Sequence, residues 1–163
     1  PTITHMSKQP QPGTLAPSFT APVIGGDFDE STIISLSDFR GETVVLYFYP
    51  KDDTPGCTKQ ACALRDGWQE ISAKAKVFGV SIDSIKSHEK FIKKHKLPFP
   101  IISDDEHAIV EAYGVWVEKS MYGKTYMGTE RTTFIIDAEG KIRATLPKIK
   151  PEDHFAQVLS LLD

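Results

Sequence analysis

Hydrophobic positions along the chain form several short continuous runs separated by polar turns. The run Thr43–Tyr49 is continuously β-branched and aromatic, which is typical of a central strand covered on both faces. The runs Lys76–Asp83 and Phe99–Asp104 have the same character and predict two further buried strands.

Two β-hairpins are predicted at opposite ends of the chain. Near the start, Ser18–Ile24 alternates weakly and is followed, after a turn, by the short strand Ser31–Leu36. Near the end, Arg131–Asp137 and Lys141–Leu146 are separated by a short glycine-containing turn.

Helical segments are indicated by their start and stop signals. They are a turn from Ser37, as N-cap, to Gly41; a helix from near Cys57 past Trp68 towards Lys74; His88–Lys96, ended by Pro98; a helix opened by a capping box at Ser103–Glu106 and closed by Gly114; and Pro151–Asp163. Strands that alternate with helices predict a mixed α/β sheet with helices on both sides and right-handed crossovers.

Length and composition are those of one globular domain. The chain has 163 residues, of which 40% are hydrophobic and 25% charged. We expect an N-terminal arm at 1–12, in which Met6 is the native start after the remains of an expression tag, and one domain at 13–163. The formal net charge of -3 argues against a nucleic-acid surface, and no apolar run is long enough to span a membrane. Without a signal peptide, the expected location is the cytoplasm, where thiols are reduced.

The two cysteines of the chain, Cys57 and Cys62, lie five residues apart, after the central strand. Thr54 is a good N-cap and Pro55 suits the first helical position, so Cys57 is expected in the first helical turn. There the free N–H groups and the helix dipole favour a thiolate. The end of a central strand is also where α/β sheets commonly hold a site, so a reactive cysteine is favoured over a buried structural one.

The spacing of the pair limits its chemistry. On an intact helix the two Cα atoms would stand about 8.7 Å apart. A disulfide requires them within about 7 Å, so this pair could join only if the helix unwinds. The scattered histidines offer no second ligand pair for zinc, and the spacing is too wide for a C-x-x-C dithiol.

The segment PKDDTPGCTKQACALRD resembles the active-site segment of peroxiredoxins. The second cysteine five residues after the first is similar to the peroxiredoxin Q group, also called bacterioferritin comigratory protein. Other stretches in the same order as the family include LSDFRG, GVSIDS, KTYMG and RTTFIIDAEGKI. The resemblance implies a thioredoxin-like fold: a central mixed β-sheet flanked by helices, with an N-terminal β-hairpin.

The resemblance also implies roles for individual residues. Cys57 would be the peroxidatic cysteine, oxidised by a hydroperoxide to a sulfenic acid, and Cys62 the resolving cysteine that forms a disulfide with it. Thr54 would place its hydroxyl between the thiolate and the peroxide, and Arg131 would stabilise the thiolate. Pro50 would shield the site from water.

The implied protein is a thioredoxin-dependent peroxidase that acts in antioxidant defence and cell redox homeostasis. Thioredoxin, or else glutaredoxin, would reduce the disulfide by thiol exchange. The resemblance implies no cofactor and no metal, a monomer, and a bacterial cytoplasm. Two alternatives are a protein disulfide oxidoreductase, disfavoured by the missing C-x-x-C, and a redox-sensing holdase; peroxide consumption under excess reductant distinguishes the peroxidase from both.

Overall fold

The computed structural model of the protein describes residues 8–162. The strands are β1 (Thr20–Gly25), β2 (Phe28–Ser35), β3 (Val44–Phe48), β4 (Lys76–Ser81), β5 (Ile101–Ser103), β6 (Trp116–Met121), β7 (Lys124–Thr129), β8 (Thr132–Ile136) and β9 (Ile142–Leu146). The helices are α1 (Pro55–Asp66), α2 (Trp68–Ser72), α3 (Ile85–His95), α4 (Ala108–Ala112) and α5 (Pro151–Leu162), with a 3-10 helix at Leu36–Phe39.

The main sheet is mixed and has the strand order β2-β1-β5-β4-β3-β8-β9. The pairs β3–β4 and β4–β5 are parallel, whereas β1–β2, β1–β5, β3–β8 and β8–β9 are antiparallel. The predicted central strand, the N-terminal hairpin and the mixed α/β sheet are therefore confirmed. The carboxyl end of β3 leads directly into the loop before α1.

Each face of the sheet contributes to its own apolar layer, because side chains alternate along β3. Val44, Leu46 and Phe48 join the layer that α4 covers. Val45 and Tyr47 join the opposite layer, which contains buried side chains of α1, α2, α3 and α5. This two-sided cover explains why the central strand reads as a continuous apolar run.

The helix predicted from Cys57 towards Lys74 is wrong as a single element, because it is interrupted at Gly67. A Cβ atom at Gly67 would stand 2.1 Å from the Phe155 ring of α5. The absence of a side chain at Gly67 lets the Phe155 ring of α5 approach the end of α1 closely, a contact that the local sequence does not show.

Three predicted helix starts are also wrong, and one of them is that of α3, which begins at Ile85 rather than His88. The short 3-10 helix begins after Ser35 rather than Ser37, and the Ser35 N–H donates to the Asp38 carboxylate at 2.9 Å. The predicted capping box at Ser103–Glu106 does not open a helix, because α4 starts only at Ala108. The Asp104 carboxylate instead caps α4 from outside the helix. That carboxylate accepts hydrogen bonds from the N–H groups of Ile109 (3.0 Å) and Val110 (2.7 Å).

A separate two-stranded sheet, formed by β6 and β7, was not predicted. Its turn is Tyr122–Gly123, where both residues have positive φ (52° and 76°), as in a two-residue hairpin turn. Most side chains of this hairpin are exposed, so its hydrophobic pattern is weak.

Of the predicted N-terminal arm, residues 1–7, including Met6, lie outside the described residues. Farther along it, the Gln9 amide donates to the Glu130 carboxylate at 2.8 Å. Among residues 8–162, no helix has both the length and the apolar character needed to cross a membrane.

Candidate active site

Cys57 is the third residue of α1 and is 2% exposed. It lies in the same apolar layer as Tyr47 and Tyr49, at the carboxyl end of β3. The first hydrogen bond of the helix runs from the Thr58 N–H to the Thr54 carbonyl oxygen at 2.8 Å. The predicted helix start is thus confirmed, and the Cys57 thiol lies where the positive end of the helix dipole favours a thiolate.

Arg131 lies beside this thiol, although it is far away in sequence. It sits between β7 and β8, and its Nη2 donates to Cys57 Sγ at 3.4 Å. Its Nη1 donates to Gln60 Oε1 at 2.6 Å. The structure therefore brings the predicted cation to the predicted nucleophile, at a distance suited to a charge-assisted contact.

Gln60 was missed by the sequence analysis. It is fully buried and holds one arm of the Arg131 guanidinium, and its own Nε2 has no hydrogen-bond partner among the described residues. The available signal was its position three residues after Cys57, which puts both side chains on one helix face.

Thr54 and Pro50 lie in the loop that leads to α1. Thr54 occupies the N-cap position, but its side chain does not cap the helix; instead Oγ1 donates to the Lys51 carbonyl oxygen at 2.9 Å. The predicted N-cap position at Thr54 is therefore confirmed, although its side chain makes no capping hydrogen bond. Pro55 at the first helical position lacks one of the N–H groups that a cap would serve. Pro50 is half-buried, directly after Tyr49.

Cys62 is half-buried and follows Cys57 on the same continuous helix, and both cysteines are free thiols. The structure thus corresponds to the reduced state, with the pair held apart by regular helical geometry. Any bond between the two sulfurs requires the first turns of α1 to unwind.

Arg131 is the cation that contacts Cys57, and two other titratable groups lie nearby. The pKa of Tyr47 is raised well above its usual range by burial, then by the neighbouring negative charge of Cys57, so this phenol stays neutral. Burial, followed by the charge of Arg131, lowers the pKa of His154 to about 3, so its ring is uncharged at neutral pH. The neutral His154 ring is therefore no alternative cation for the thiolate, and the neutral Tyr47 phenol adds no negative charge beside it.

Lys119 supplies a second, weaker positive charge from β6. Its pKa is lowered by burial first, then by Arg131, while the charge of Cys57 acts in the opposite direction. Its Nζ donates to the Thr129 carbonyl oxygen at 2.6 Å. The β6–β7 hairpin therefore brings the charge of Lys119 within range of the charges of Arg131 and Cys57. In the described part of the chain, the hydrogen bond to the Cys57 thiol comes from Arg131.

Comparison with known proteins gives consistent results. Residues 12–145 match the AhpC/TSA family. A protein named putative peroxiredoxin bcp, from Coxiella burnetii, is 50% identical over 151 residues, which cover 92% of this chain and 97% of that protein. A solved structure of peroxiredoxin Q from Xanthomonas campestris has a TM-score of 0.81 at 37% identity and covers 88% of this chain and 89% of its own. A structure of the Xanthomonas campestris bacterioferritin comigratory protein, from work on its alkyl peroxide reduction activity, has a TM-score of 0.80 at 37% identity, with the same coverage.

Proposed function

Because the chain belongs to the AhpC/TSA family and resembles peroxiredoxins over most of its length, we propose that Cys57 is its peroxidatic cysteine and Cys62 its resolving cysteine. Family membership confirms the predicted peroxiredoxin resemblance, the thioredoxin-like fold and the thiol peroxidase activity. One observation carries the residue assignment. Cys57 is buried in the first turn of α1, and its Sγ accepts a hydrogen bond from Arg131.

The first step is attack of the Cys57 thiolate on the terminal oxygen of a hydroperoxide. A sulfur–oxygen bond forms as the oxygen–oxygen bond breaks, and the leaving alkoxide or hydroxide takes a proton to become alcohol or water. Sulfur is oxidised to a sulfenic acid and the peroxide is reduced. Arg131 stabilises the thiolate and the charge that develops on the peroxide oxygens, since its guanidinium is permanently charged.

Thr54 and Pro50 shape the space in which this step occurs. Because the Thr54 hydroxyl donates to the Lys51 carbonyl, its oxygen is oriented and remains able to accept a hydrogen bond from a bound peroxide. Pro50, half-buried at the end of β3, limits the access of water to the site.

The second step forms the disulfide. The Cys62 thiolate attacks the sulfenic sulfur of Cys57, a sulfur–sulfur bond forms, and hydroxide leaves and is protonated to water. The helical turns between the two cysteines open in this step, since their Cα atoms are otherwise too far apart.

A dithiol protein then reduces the disulfide by exchange, and thioredoxin is the proposed reductant. The substrates are hydrogen peroxide and organic hydroperoxides, in keeping with the alkyl peroxide reduction studied in the Xanthomonas campestris protein. We further propose a monomer that works in a bacterial cytoplasm, as its similarity to bacterial peroxiredoxins suggests.

The direct test is peroxidase turnover coupled to thioredoxin and its reductase, with hydrogen peroxide and an organic hydroperoxide compared at equal concentration. Turnover with either peroxide should depend on thioredoxin and disappear when thioredoxin alone is omitted. Turnover that does not respond to thioredoxin would exclude it as the reductant. No peroxide consumption at all would contradict the assigned chemistry.

A further inference from the structure

The loop between β3 and α1 carries two adjacent aspartates that contact α3 in different ways. Asp53 is exposed and pairs with Lys94 (Oδ2 to Nζ, 2.7 Å) and His95 (Oδ1 to Nε2, 3.0 Å) near the end of α3. Asp52 is 7% exposed, and its side chain turns into the protein towards the first turns of the same helix. The two residues therefore tie one loop to one helix, with an exposed contact and a buried contact.

Both oxygens of the Asp52 carboxylate have hydrogen-bond partners inside the protein. Its Oδ1 accepts a hydrogen bond of 2.5 Å from the Tyr49 hydroxyl. Its Oδ2 accepts one of 2.8 Å from Ser87 Oγ and lies 2.6 Å from His88 Nδ1. Its backbone N–H donates to Asp83 Oδ2 at 2.8 Å, so the main chain is fixed as well. Hydrogen bonds to both side-chain oxygens and to the main chain therefore hold Asp52 in one position.

His88 faces an acceptor on both sides of its ring. It is fully buried, with Nδ1 towards Asp52 and Nε2 3.1 Å from the Ile102 carbonyl oxygen. Each ring nitrogen of His88 therefore has a hydrogen-bond partner in the protein interior. Asp52 and His88 thus form a buried hydrogen-bonded pair that links the loop to α3 and, through Ile102, to β5.

A metal ion is the other interpretation of this cluster, because donor atoms of Asp52, Asp83 and His88 lie within 4.8 Å of one another. However, Asp83 Oδ2 already accepts hydrogen bonds from Ser81 Oγ (2.7 Å) and from the Asp52 N–H. Both nitrogens of His88 are likewise engaged. The internal hydrogen bonds account for these groups without an ion. They favour a structural link between the loop and α3 over a metal site.

We propose that the buried hydrogen bond between Asp52 and His88 is a positioning device for the reactive loop. It fixes the chain five residues before Cys57, so that the thiol returns to Arg131 after each cycle, and it stops the unwinding of α1 from spreading into β3. The inference rests on the proposed roles of Cys57 and Cys62. Asp52 and His88 act through the placement of Cys57 and do not touch the peroxide.

The test compares His88→Gln and Asp52→Asn with the wild-type protein in single-turnover reactions with hydrogen peroxide. Each substitution replaces one partner of the pair by an amide of similar size, which cannot satisfy the same hydrogen bonds on both sides. Peroxide attack should slow on the order of tenfold in both, because a thiol displaced by a fraction of an ångström reacts poorly. Amide exchange measured by mass spectrometry should also increase at residues 49–53, in the reduced and the oxidised protein.

Two control variants separate positioning from stability. Lys94→Gln removes one of the two exposed contacts of Asp53 in the same loop, and it should leave the attack rate unchanged. Ile142→Ala destabilises the apolar layer on the other face of the sheet, away from α1. In conditions where the protein is fully folded, Ile142→Ala should also attack peroxide at the wild-type rate.

Slower attack in His88→Gln or Asp52→Asn, with wild-type rates in both controls, supports the proposal. If the folded His88→Gln and Asp52→Asn proteins attack peroxide at the wild-type rate, the proposal is wrong. Equal slowing in Ile142→Ala also overturns it. Single-turnover attack does not require Cys62, so an error in the assignment of the resolving cysteine would leave this result intact. An error in the assignment of Cys57 would instead appear as peroxide consumption by Cys57→Ser.

Discussion

The strand β3 and the helix α1 are consecutive in the chain and differ in how they are held. The five residues of β3 are at most 2% exposed and pair with β4 on one side and β8 on the other. In α1, by contrast, the segment from Pro55 to Ala63 contains no large apolar side chain. The first such side chain is Leu64, which is fully buried.

This difference separates the part of the molecule that positions the site from the part that changes shape. Releasing β3 would break two ladders and expose side chains from both apolar layers. Releasing the start of α1 breaks local helical hydrogen bonds and the contacts of Arg131 with Cys57 and Gln60. It exposes three buried groups that are small or polar: Cys57, Gln60 and Ala61. The cysteine pair therefore lies on a stretch of helix whose opening costs little buried apolar area.

Replacing the nucleophile of α1 should have the largest effect. We expect Cys57→Ser to abolish peroxide reduction, because a serine hydroxyl is not appreciably ionised near neutral pH and is a far poorer nucleophile. The fold should persist, since the side chains are similar in size; circular dichroism checks this while peroxide consumption is measured. Retention of more than about a tenth of the wild-type rate would remove Cys57 from the central role.

Replacing the second cysteine should separate attack from recycling. We expect Cys62→Ser to consume about one peroxide per chain and then to stop, because attack needs only Cys57 whereas reduction by thioredoxin needs the disulfide. The measurements are peroxide consumed in a single exposure and steady-state turnover with thioredoxin. Unchanged turnover would show that Cys62 is not the resolving residue.

Replacing the cation on the rigid side of the site should have an intermediate effect. We expect Arg131→Met to slow peroxide attack about 100-fold, since it removes the donor to the thiolate while keeping most of the side-chain volume. Rapid mixing with peroxide gives the rate, and ultraviolet absorbance as pH is varied gives the thiolate fraction.

Lys119→Met is the matched control for Arg131→Met. Lys119 is half-buried near the site, but its Nζ donates to the Thr129 carbonyl rather than to sulfur. Its replacement should slow attack less than Arg131→Met does. An equal loss in both variants would mean that general positive charge, not the Arg131–Cys57 contact, controls the thiolate.

The features that sequence predicted well are those determined locally. Continuous apolar runs predicted β3, β4 and β5, and the Thr-Pro-Gly lead-in placed Cys57 in the first turn of α1. The break at Gly67 was missed although glycine is a local signal for a helix end; what the local sequence does not show is the close approach of the Phe155 ring, which leaves no room for a Cβ atom. The β6–β7 hairpin was missed because most of its side chains face solvent and leave a weak hydrophobic pattern.

The site shows the same division between local and distant information. Arg131 contacts Cys57 across 74 residues of sequence, and only the family resemblance suggested it. The Asp52–His88 contact spans 36 residues and gave no sequence signal, because adjacent aspartates in a loop are usually solvated. Gln60 could have been found from its spacing to Cys57, but an uncharged side chain in a helix attracts no attention.

The smallest effect, and the most direct comparison of α1 with β3, is the response of the two elements to oxidation. In the reduced protein Cys57 and Cys62 share the continuous helix α1, so their Cα atoms stand about 8.7 Å apart by helical geometry. A disulfide needs them within about 7 Å. Residues within the segment Pro55 to Ala63 must therefore leave helical geometry when the bond forms, while β3 keeps its ladders.

Amide exchange measured by mass spectrometry on reduced and oxidised protein tests this expectation. Exchange should become faster on oxidation in the peptide that contains both cysteines, and it should change little in Val44–Tyr49. Cys62→Ser exposed to one equivalent of peroxide is the control, because it is oxidised at Cys57 without forming the bond; its α1 should remain protected. If the oxidised wild-type protein carries the disulfide and protects this peptide as well as the reduced protein does, α1 does not open. In that case the difference in burial between α1 and β3 has no part in the catalytic cycle.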